Sequence, residues 1–409
     1  MNIILINRSD YLGGAAIASM RLMHGLNEAG ANARMLVMDK HSDNDNVSTV
    51  GSAPRRNFNF LAERLDIFAH NGRNRRTLFK IDTATHGTNI ANHPWVQEAD
   101  IIVLGWINQG MLSISGVQQL LDLGKPVVWV MHDMWNCTGV CHHTGNCTAF
   151  ESTCRSCPLL GSTSDDISTS TQERKRLLYD KGGIHFVAVS HWLEQQCRRS
   201  ALMRNSDISV IANPFPTAQF QPALVGQNPW GIDPKMKIAV MGAARLDDLV
   251  KGFDKLIATT KYIASDMSEL AEKLHFVLYG NLRDLSLLDK LELPFYYLGY
   301  VDDLRSVYQH SHIVISTSLV ESFGYTLVEG MACGCTPVTT GGGGQSDIVM
   351  HKKNGFITAS HEPKDIAQGL LWAINNPLDR QAQHQWVTEH FDQSVIAQKH
   401  LELYQSLLK

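Results

Sequence analysis

Four charged residues in the second half of the chain have types and positions suited to holding a phosphorylated ligand. Arg245 and Lys251 lie in "VMGAARLDDLVKGFDKLI" (240–257), which reads as strand, glycine turn and helix. Ligands of open α/β sheets bind at that carboxyl end of the strand. Further on, "STSLVESFGYTLVEGMACGCTPVTTGGGGQSDIV" (316–349) reads as a strand ending near Thr317, a loop carrying Glu321, and a helix from about Gly324 to Cys333. Backbone amides of residues 323 to 326 then stand at a helix start, where partial positive charge favours a phosphate or diphosphate. Two cations nearby could neutralise a diphosphate, each contact worth roughly 1.5–3 kcal/mol. Glu321 and Glu329, on loop and helix, are placed to flank one ligand. The plainer alternative makes Glu321 a partner of the helix dipole and Glu329 a solvated face residue.

The first half offers three further candidates. Gly13 and Gly14 in "NRSDYLGGAAIASM" separate a strand from a helix and permit close backbone approach, although such a turn is often only a connection. "VMHDMW" (130–135) ends another strand with His132 and Asp133, either as ligand-facing residues or as a capped loop. The segment 137–158 then spaces cysteines as Cys141-x5-Cys147-x6-Cys154-x2-Cys157. Its last pair has the spacing of thiolate zinc sites. Structural zinc on those four is expected, with His142 or His143 as substitutes and Cys137 as a bystander; reduced thiols and disulfides are the alternatives.

The elements that must carry these residues alternate between short β-rich runs and helical patterns, as in parallel α/β sheets. Strands are predicted at 2–6, 33–38, 100–105, 126–131 and 185–189, and again at 237–242, 275–280, 312–317 and 336–340. Several are apolar throughout, as strands covered on both faces should be. At 409 residues, 44% hydrophobic and 19% charged, the chain fits two packed domains. The proline-rich stretch 208–234 reads as the linker. The expected division is 1–212, 213–390 and a closing amphipathic helix in 391–409. A net charge of −4 gives no global pull toward nucleic acid. The opening apolar run is too short for a leader, so a cytoplasmic protein with reduced thiols is expected.

Together these motifs resemble the retaining glycosyltransferases of family four, which have the GT-B fold. "ESFGYTLVE" matches that family's Glu-x7-Glu motif, and "GAARLDDLVKGFDKLI" resembles its Gly-Arg-Leu…Lys-Gly segment. The likeness extends through "GGAAIASMRLMHGL", "VSHWLEQQCRRSAL" and "IANP". It implies two Rossmann-like domains facing a cleft, with the C-terminal helix packing back on the N-terminal domain. By the same resemblance Arg245 and Lys251 hold the diphosphate of a nucleotide-sugar donor and Glu329 bonds its ribose. Glu321 and His132 face the sugar, while Gly13, Gly14 and the amides of Gly324, Tyr325 and Thr326 support phosphate or sugar. It implies no divalent metal in the transfer step. The acceptor would be a glycan or lipid-linked glycan bound by the N-terminal half, in surface polysaccharide biosynthesis. A nucleotide-sugar-binding protein and a nucleotide-sugar epimerase are the alternatives. Two departures stand out: Asp347 replaces the usual glutamate after the glycine run, and "NPFP" (213–216) replaces "N-G-x-D". A subset of the family carries similar cysteines after "HDMW", which supports the zinc reading.

One segment falls outside these motifs. "APRRNFNFLAERLDIFAHNGRNRRTLFK" (53–80) interleaves six arginines and one lysine with apolar residues. It could dock on anionic lipid at the inner face of a membrane, or it could be a solvated excursion of the N-terminal domain.

Overall fold

The computed structural model describes residues 1–223 and 228–409, and the chain divides into two units. The first comprises Met1–Pro214 with Gln393–Lys409, the second Phe215–Asp392. The expected linker is structured at its start, where Ile208–Val210 forms a strand; its residues 224–227 lie outside the described ones.

The first unit has a seven-stranded sheet of order β3-β2-β1-β4-β5-β6-β7. Its strands are β1 Asn2–Ser9, β2 Asn32–Asp39, β3 Val47–Thr49, β4 Ile101–Leu104, β5 Val127–Met131, β6 Ile184–Ala188 and β7 Ile208–Val210. The second unit has six strands in the order β10-β9-β8-β11-β12-β13. They are β8 Lys237–Arg245, β9 Leu274–Asn281, β10 Phe295–Tyr297, β11 Ile313–Ser316, β12 Thr336–Thr340 and β13 Phe356–Thr358. Every pairing is parallel. β4 and β5 are buried at every residue, which explains their unbroken apolar sequence. The strands that sequence reasoning left out, β3, β7, β10 and β13, are three-residue edge strands too short to show a period.

In both sheets the strand order reverses beside the first strand, between β1 and β4 and between β8 and β11. Loops at the carboxyl ends there diverge and leave a crevice. Gly13 and Gly14 follow β1, Arg245 and Lys251 end or follow β8, and Glu321 follows β11. The second unit is packed around Met241, Leu256, Phe276, Ile315, Val338 and Leu370.

In the first unit, helix α1 (Gly14–Glu28) packs against the C-terminal helix Gln393–Leu407. A Cβ on Gly25 would come within 2.7 Å of Gln393, so glycine sets how closely the helices approach. The basic segment is mainly a helix, α2 (Ala53–His70), joined to the cysteine loop by a small core of Ile67, Ile81, Val140 and Leu160. Among the described residues no helix is long and apolar enough to cross a membrane.

The C-terminal helix carries His400, 1% exposed, with Nδ1 beside the Tyr404 hydroxyl at 3.1 Å. Burial pushes its pKa down to about 3, from an ordinary value near 6.5. The unfolded chain therefore binds a proton that the fold rejects, and stability is lost as pH falls below about 6.5. The expected loss is up to about 1.4 kcal/mol per pH unit from this residue. Chemical denaturation from pH 7 to pH 5 should show that slope, reduced in His400→Asn.

Candidate active site

In the second unit, β8 bulges between Gly242 and Arg245 where it runs beside β9. A Cβ on Gly242 would strike the Tyr279 ring at 2.0 Å, and one on Gly280 would strike the Ala243 carbonyl oxygen at 1.8 Å. The two strands close there only because both positions are glycine. Arg245, at the bulge, pairs through Nε with Asp247 Oδ1 at 3.1 Å, leaving its terminal nitrogens outside that bond.

Beyond the bulge, a short 3-10 turn (Leu249–Lys251) ends at Gly252, which has a φ of 68°. The backbone N–H of Leu319 donates to the Val250 carbonyl at 2.8 Å, and the Thr317 hydroxyl donates to the Gly252 carbonyl at 2.8 Å. These bonds fasten the turn after β8 to the loop after β11. Lys251 Nζ is thereby held 2.7 Å from Glu321 Oε1, which also accepts from the Ser318 hydroxyl at 2.9 Å. The pair is partly buried, with 34% of the lysine and 19% of the glutamate side chain exposed.

The glycine run holds the other side of that loop. A Cβ on Gly343 would lie 2.1 Å from the Glu321 carbonyl oxygen, and one on Gly342 would lie 2.4 Å from that of Leu319. The Gly344 N–H donates to the Glu321 carbonyl at 2.7 Å. Helix Tyr325–Ala332 then starts from Gly324, which takes a φ of 118°. Gly324, Tyr325 and Thr326 occupy the start of this helix, the end that carries its partial positive charge.

Glu329, in the same helix, accepts from the Tyr308 hydroxyl at 3.1 Å, which lies 2.6 Å from that of Tyr279. Burial above all, with the Glu329 charge adding to it, pushes both phenols well above their ordinary range. They stay protonated and hold the carboxylate in place. Neither tyrosine was identified from sequence, because each becomes a partner only through the sheet; Asp247 and Ser318 were also missed, although they lie two and three positions from Arg245 and Glu321.

In the first unit, Gly13 has a φ of 90° and α1 begins at Gly14. A Cβ on either would meet nothing within 4 Å, so that ground is open in this unit. His132, after β5, lines a small cavity with Ser19, Gly105, Asn213 and His400. Its Nε2 is buried and lacks a hydrogen-bond partner among the described residues. Burial pushes its pKa down to about 4 against the opposing pull of Asp133, so the ring is neutral at physiological pH.

The cysteine expectation needs correction. Cys141, Cys147, Cys154 and Cys157 do line one small, mainly apolar cavity beside Phe150. Yet among the described residues no group of three or more His, Cys, Asp or Glu side chains is placed to hold a metal ion. His142, a suggested substitute ligand, has both ring nitrogens engaged by aspartates. Burial pushes the Cys141 thiol up to about 12 and that of Cys154 up to about 11. All eight cysteines are free. The four-cysteine set does not fit a zinc centre in this arrangement, and the loop is held by other contacts.

Residues 228–390 match the model of the family described as glycosyl transferases group 1. The second unit carries a glycosyltransferase group 1 domain. The gpi3 subunit of phosphatidylinositol N-acetylglucosaminyltransferase from Schizosaccharomyces pombe is 30% identical over 52% of this chain and 44% of its own length. N-acetyl-alpha-D-glucosaminyl L-malate synthase from Bacillus anthracis is 23% identical over 54% of this chain and 60% of its own. The chain thus spans about half the length of these relatives. Among solved structures, sucrose-phosphate synthase from Thermosynechococcus elongatus superimposes with a TM-score of 0.67 at 16% identity, covering 99% of this chain and 98% of that one. Anabaena HepE in complex with UDP and glucose gives 0.64 at 17%, covering 99% and 100%. At such identity the likeness is one of fold. The two parallel-sheet Rossmann-like units are those of the GT-B class.

The glycine geometry separates two kinds of position. Gly343→Ala should lower stability by about 1–3 kcal/mol, because backbone must move to admit the methyl group. Gly14→Ala should stay within about 0.5 kcal/mol of wild type, as a surface change touching nothing does. Chemical denaturation of both variants checks the contrast.

Proposed function

We propose that the protein is a retaining hexosyltransferase that moves a sugar from a nucleoside-diphosphate sugar to a glycan or lipid-linked acceptor. A role in building surface polysaccharide is part of this reading. The Lys251–Glu321 pair carries it, because that pair stands beside a helix start within a glycosyltransferase group 1 domain. HepE, a neighbour in fold, was solved with UDP and glucose, which favours a nucleotide-sugar donor here.

Each residue then has a task. Arg245 and Lys251 neutralise charge growing on the departing diphosphate, as does the helix start at Gly324, Tyr325 and Thr326. Glu329, fixed by Tyr308, accepts from the ribose hydroxyls. Glu321 keeps Lys251 in place and faces the transferred sugar. His132, neutral and with Nε2 unpartnered, bonds a sugar hydroxyl rather than carrying a proton. Gly13 and Gly14 leave room for donor phosphate, and the first unit binds the acceptor. The acceptor hydroxyl attacks the face from which the diphosphate leaves, its proton passing to that diphosphate, and the anomeric configuration is retained. Lys251→Ala should lower turnover by about 10²–10³, the loss of one contact made to transition-state charge. Release of nucleoside diphosphate from UDP-, GDP- and ADP-sugars, with and without glycan acceptor, measures it. A protein that binds these donors and never releases diphosphate is a binding protein, and the proposal fails.

The acceptor side extends to a cytoplasmic, membrane-peripheral placement. Phe58, Leu61 and Leu65 stand exposed on one stripe of α2, with Arg55 beside them and Arg73, Arg75, Arg76 and Phe79 exposed after it. Apolar residues interleaved with arginines suit an anionic bilayer, where a lipid-linked acceptor would reside. Flotation with vesicles of anionic lipid should recover the protein, while Leu61→Glu/Leu65→Glu should abolish recovery. Equal recovery with purely zwitterionic vesicles, or none with either, refutes the placement.

A further inference from the structure

A buried ion network in the first unit links segments that the sequence presents separately: Arg64 of the basic segment, Asp82, His142 of the cysteine loop and Asp133 of the turn after β5. It runs from α2 through the cysteine loop to the turn that carries His132. Arg64, 5% exposed, bonds Asp82 Oδ1, and Asp82 is fully buried. The other Asp82 oxygen lies 2.7 Å from His142 Nε2, and His142 Nδ1 lies 2.8 Å from Asp133 Oδ2. Asp133 Oδ2 also accepts from the Trp106 indole N–H at 2.8 Å, while Oδ1 accepts from the Trp135 backbone N–H at 2.7 Å. Both oxygens of Asp133 are therefore occupied within the unit, and burial favours their remaining so. Backbone bonds register the same parts: Met134 N–H to the His142 carbonyl at 3.0 Å, and Asp82 N–H to that of Val140 at 2.9 Å.

We propose that His142 is a positioning residue: clamped between Asp82 and Asp133, it locks the turn after β5 and so fixes His132, the adjacent residue. This rests on the donor reading given above for His132. Two features favour a positioning role over simple packing. Asp133 neighbours His132, whose buried Nε2 has no partner among the described residues. Both Asp133 oxygens also accept hydrogen bonds within the unit already, which favours action of its carboxylate through the geometry it imposes. Charge and hydrogen bonds from His142 outweigh the effect of burial and hold that carboxyl well below its usual range.

The two ring nitrogens of His142 can be tested apart. Asparagine places its amide nitrogen near the position of Nδ1 and keeps the donor to Asp133, whereas glutamine reaches the position of Nε2 and keeps only the contact with Asp82. Turnover is measured as diphosphate release from whichever of UDP-, GDP- and ADP-glucose the wild type uses, and donor affinity by calorimetry with the matching diphosphate. His142→Asn should remain within about threefold of wild-type kcat, and His142→Gln should lose about tenfold or more, the scale of one charge-assisted hydrogen bond. Diphosphate affinity should be unchanged in both. Combined with His132→Ala, the glutamine change should add no further loss, since residues acting through one another are not additive.

Equal losses in both variants overturn the inference, and so does a full additional loss in the His132→Ala background. Where His142→Gln does not fold, Trp106→Phe removes another donor from the same Asp133 oxygen and is read by the same pairing with His132→Ala. A wild type that binds none of the three diphosphates overturns the donor reading and this inference with it. Binding with normal turnover in His142→Gln overturns this inference alone.

Discussion

The second unit depends on carbonyl oxygens that approach neighbouring backbone more closely than a side chain would allow. The carbonyls of Leu319 and Glu321 lie where Cβ atoms of Gly342 and Gly343 would stand, and that of Thr317 lies 2.1 Å from a Cβ built on Gly252. The loop after β11 is therefore clasped on one side by the turn after β8 and on the other by the glycine run after β12. Three separate strands of one sheet agree on where a single loop must lie. The Lys251–Glu321 pair follows from that agreement, because neither side chain reaches its partner unless both loops are fixed. An exposed ion pair contributes little to stability. Under the proposed function, a pair held by backbone before a helix start is charge organised in advance for a ligand.

How much of this could be read from sequence depended on how local each feature is. The second sheet was legible chiefly from β8 and β9, whose buried apolar runs Ile238–Met241 and Phe276–Tyr279 each lead into a glycine. Glu321 and Glu329 were legible because one loop and one helix fix their spacing. Their supports were not. Tyr308 is separated from Glu329 by a whole strand, and Tyr279 lies a strand further away, so only sheet order brings the two phenols to that carboxylate. The glycine run showed its importance by composition, but not its reason, which is the proximity of two carbonyls from another loop.

The first unit shows the opposite failure. The cysteine spacing was conspicuous and suggested a metal, yet those residues line a small cavity and, among the described residues, form no metal-holding arrangement. What joins the loop to its surroundings is His142, hidden between two cysteines and bonded to an aspartate sixty positions away. Lys175 adds to this from a third element: it is buried against the Trp135 ring, its amine donating to the carbonyls of Trp135 and Thr138 at 2.5 and 3.1 Å. Burial pushes its pKa down to about 7. A spacing rule sees only which residues recur along the chain, whereas a buried charge reveals itself by which distant groups it requires.

That requirement says something about how the first unit is organised for function. Taking Arg64, Asp82, His142 and Asp133 out of water is costly, and well-packed apolar residues of similar size are often at least as stable. Stability alone therefore does not account for so extended a network. Its ends are informative: one is α2, which presents the exposed apolar and basic stripe, and the other is the turn that carries His132. Each link is a directional hydrogen bond rather than an adaptable packing contact, so the network fixes angles as well as distances. Under the positioning role proposed for His142, a fold that must keep one imidazole aimed gains more from such a network than from a softer apolar core.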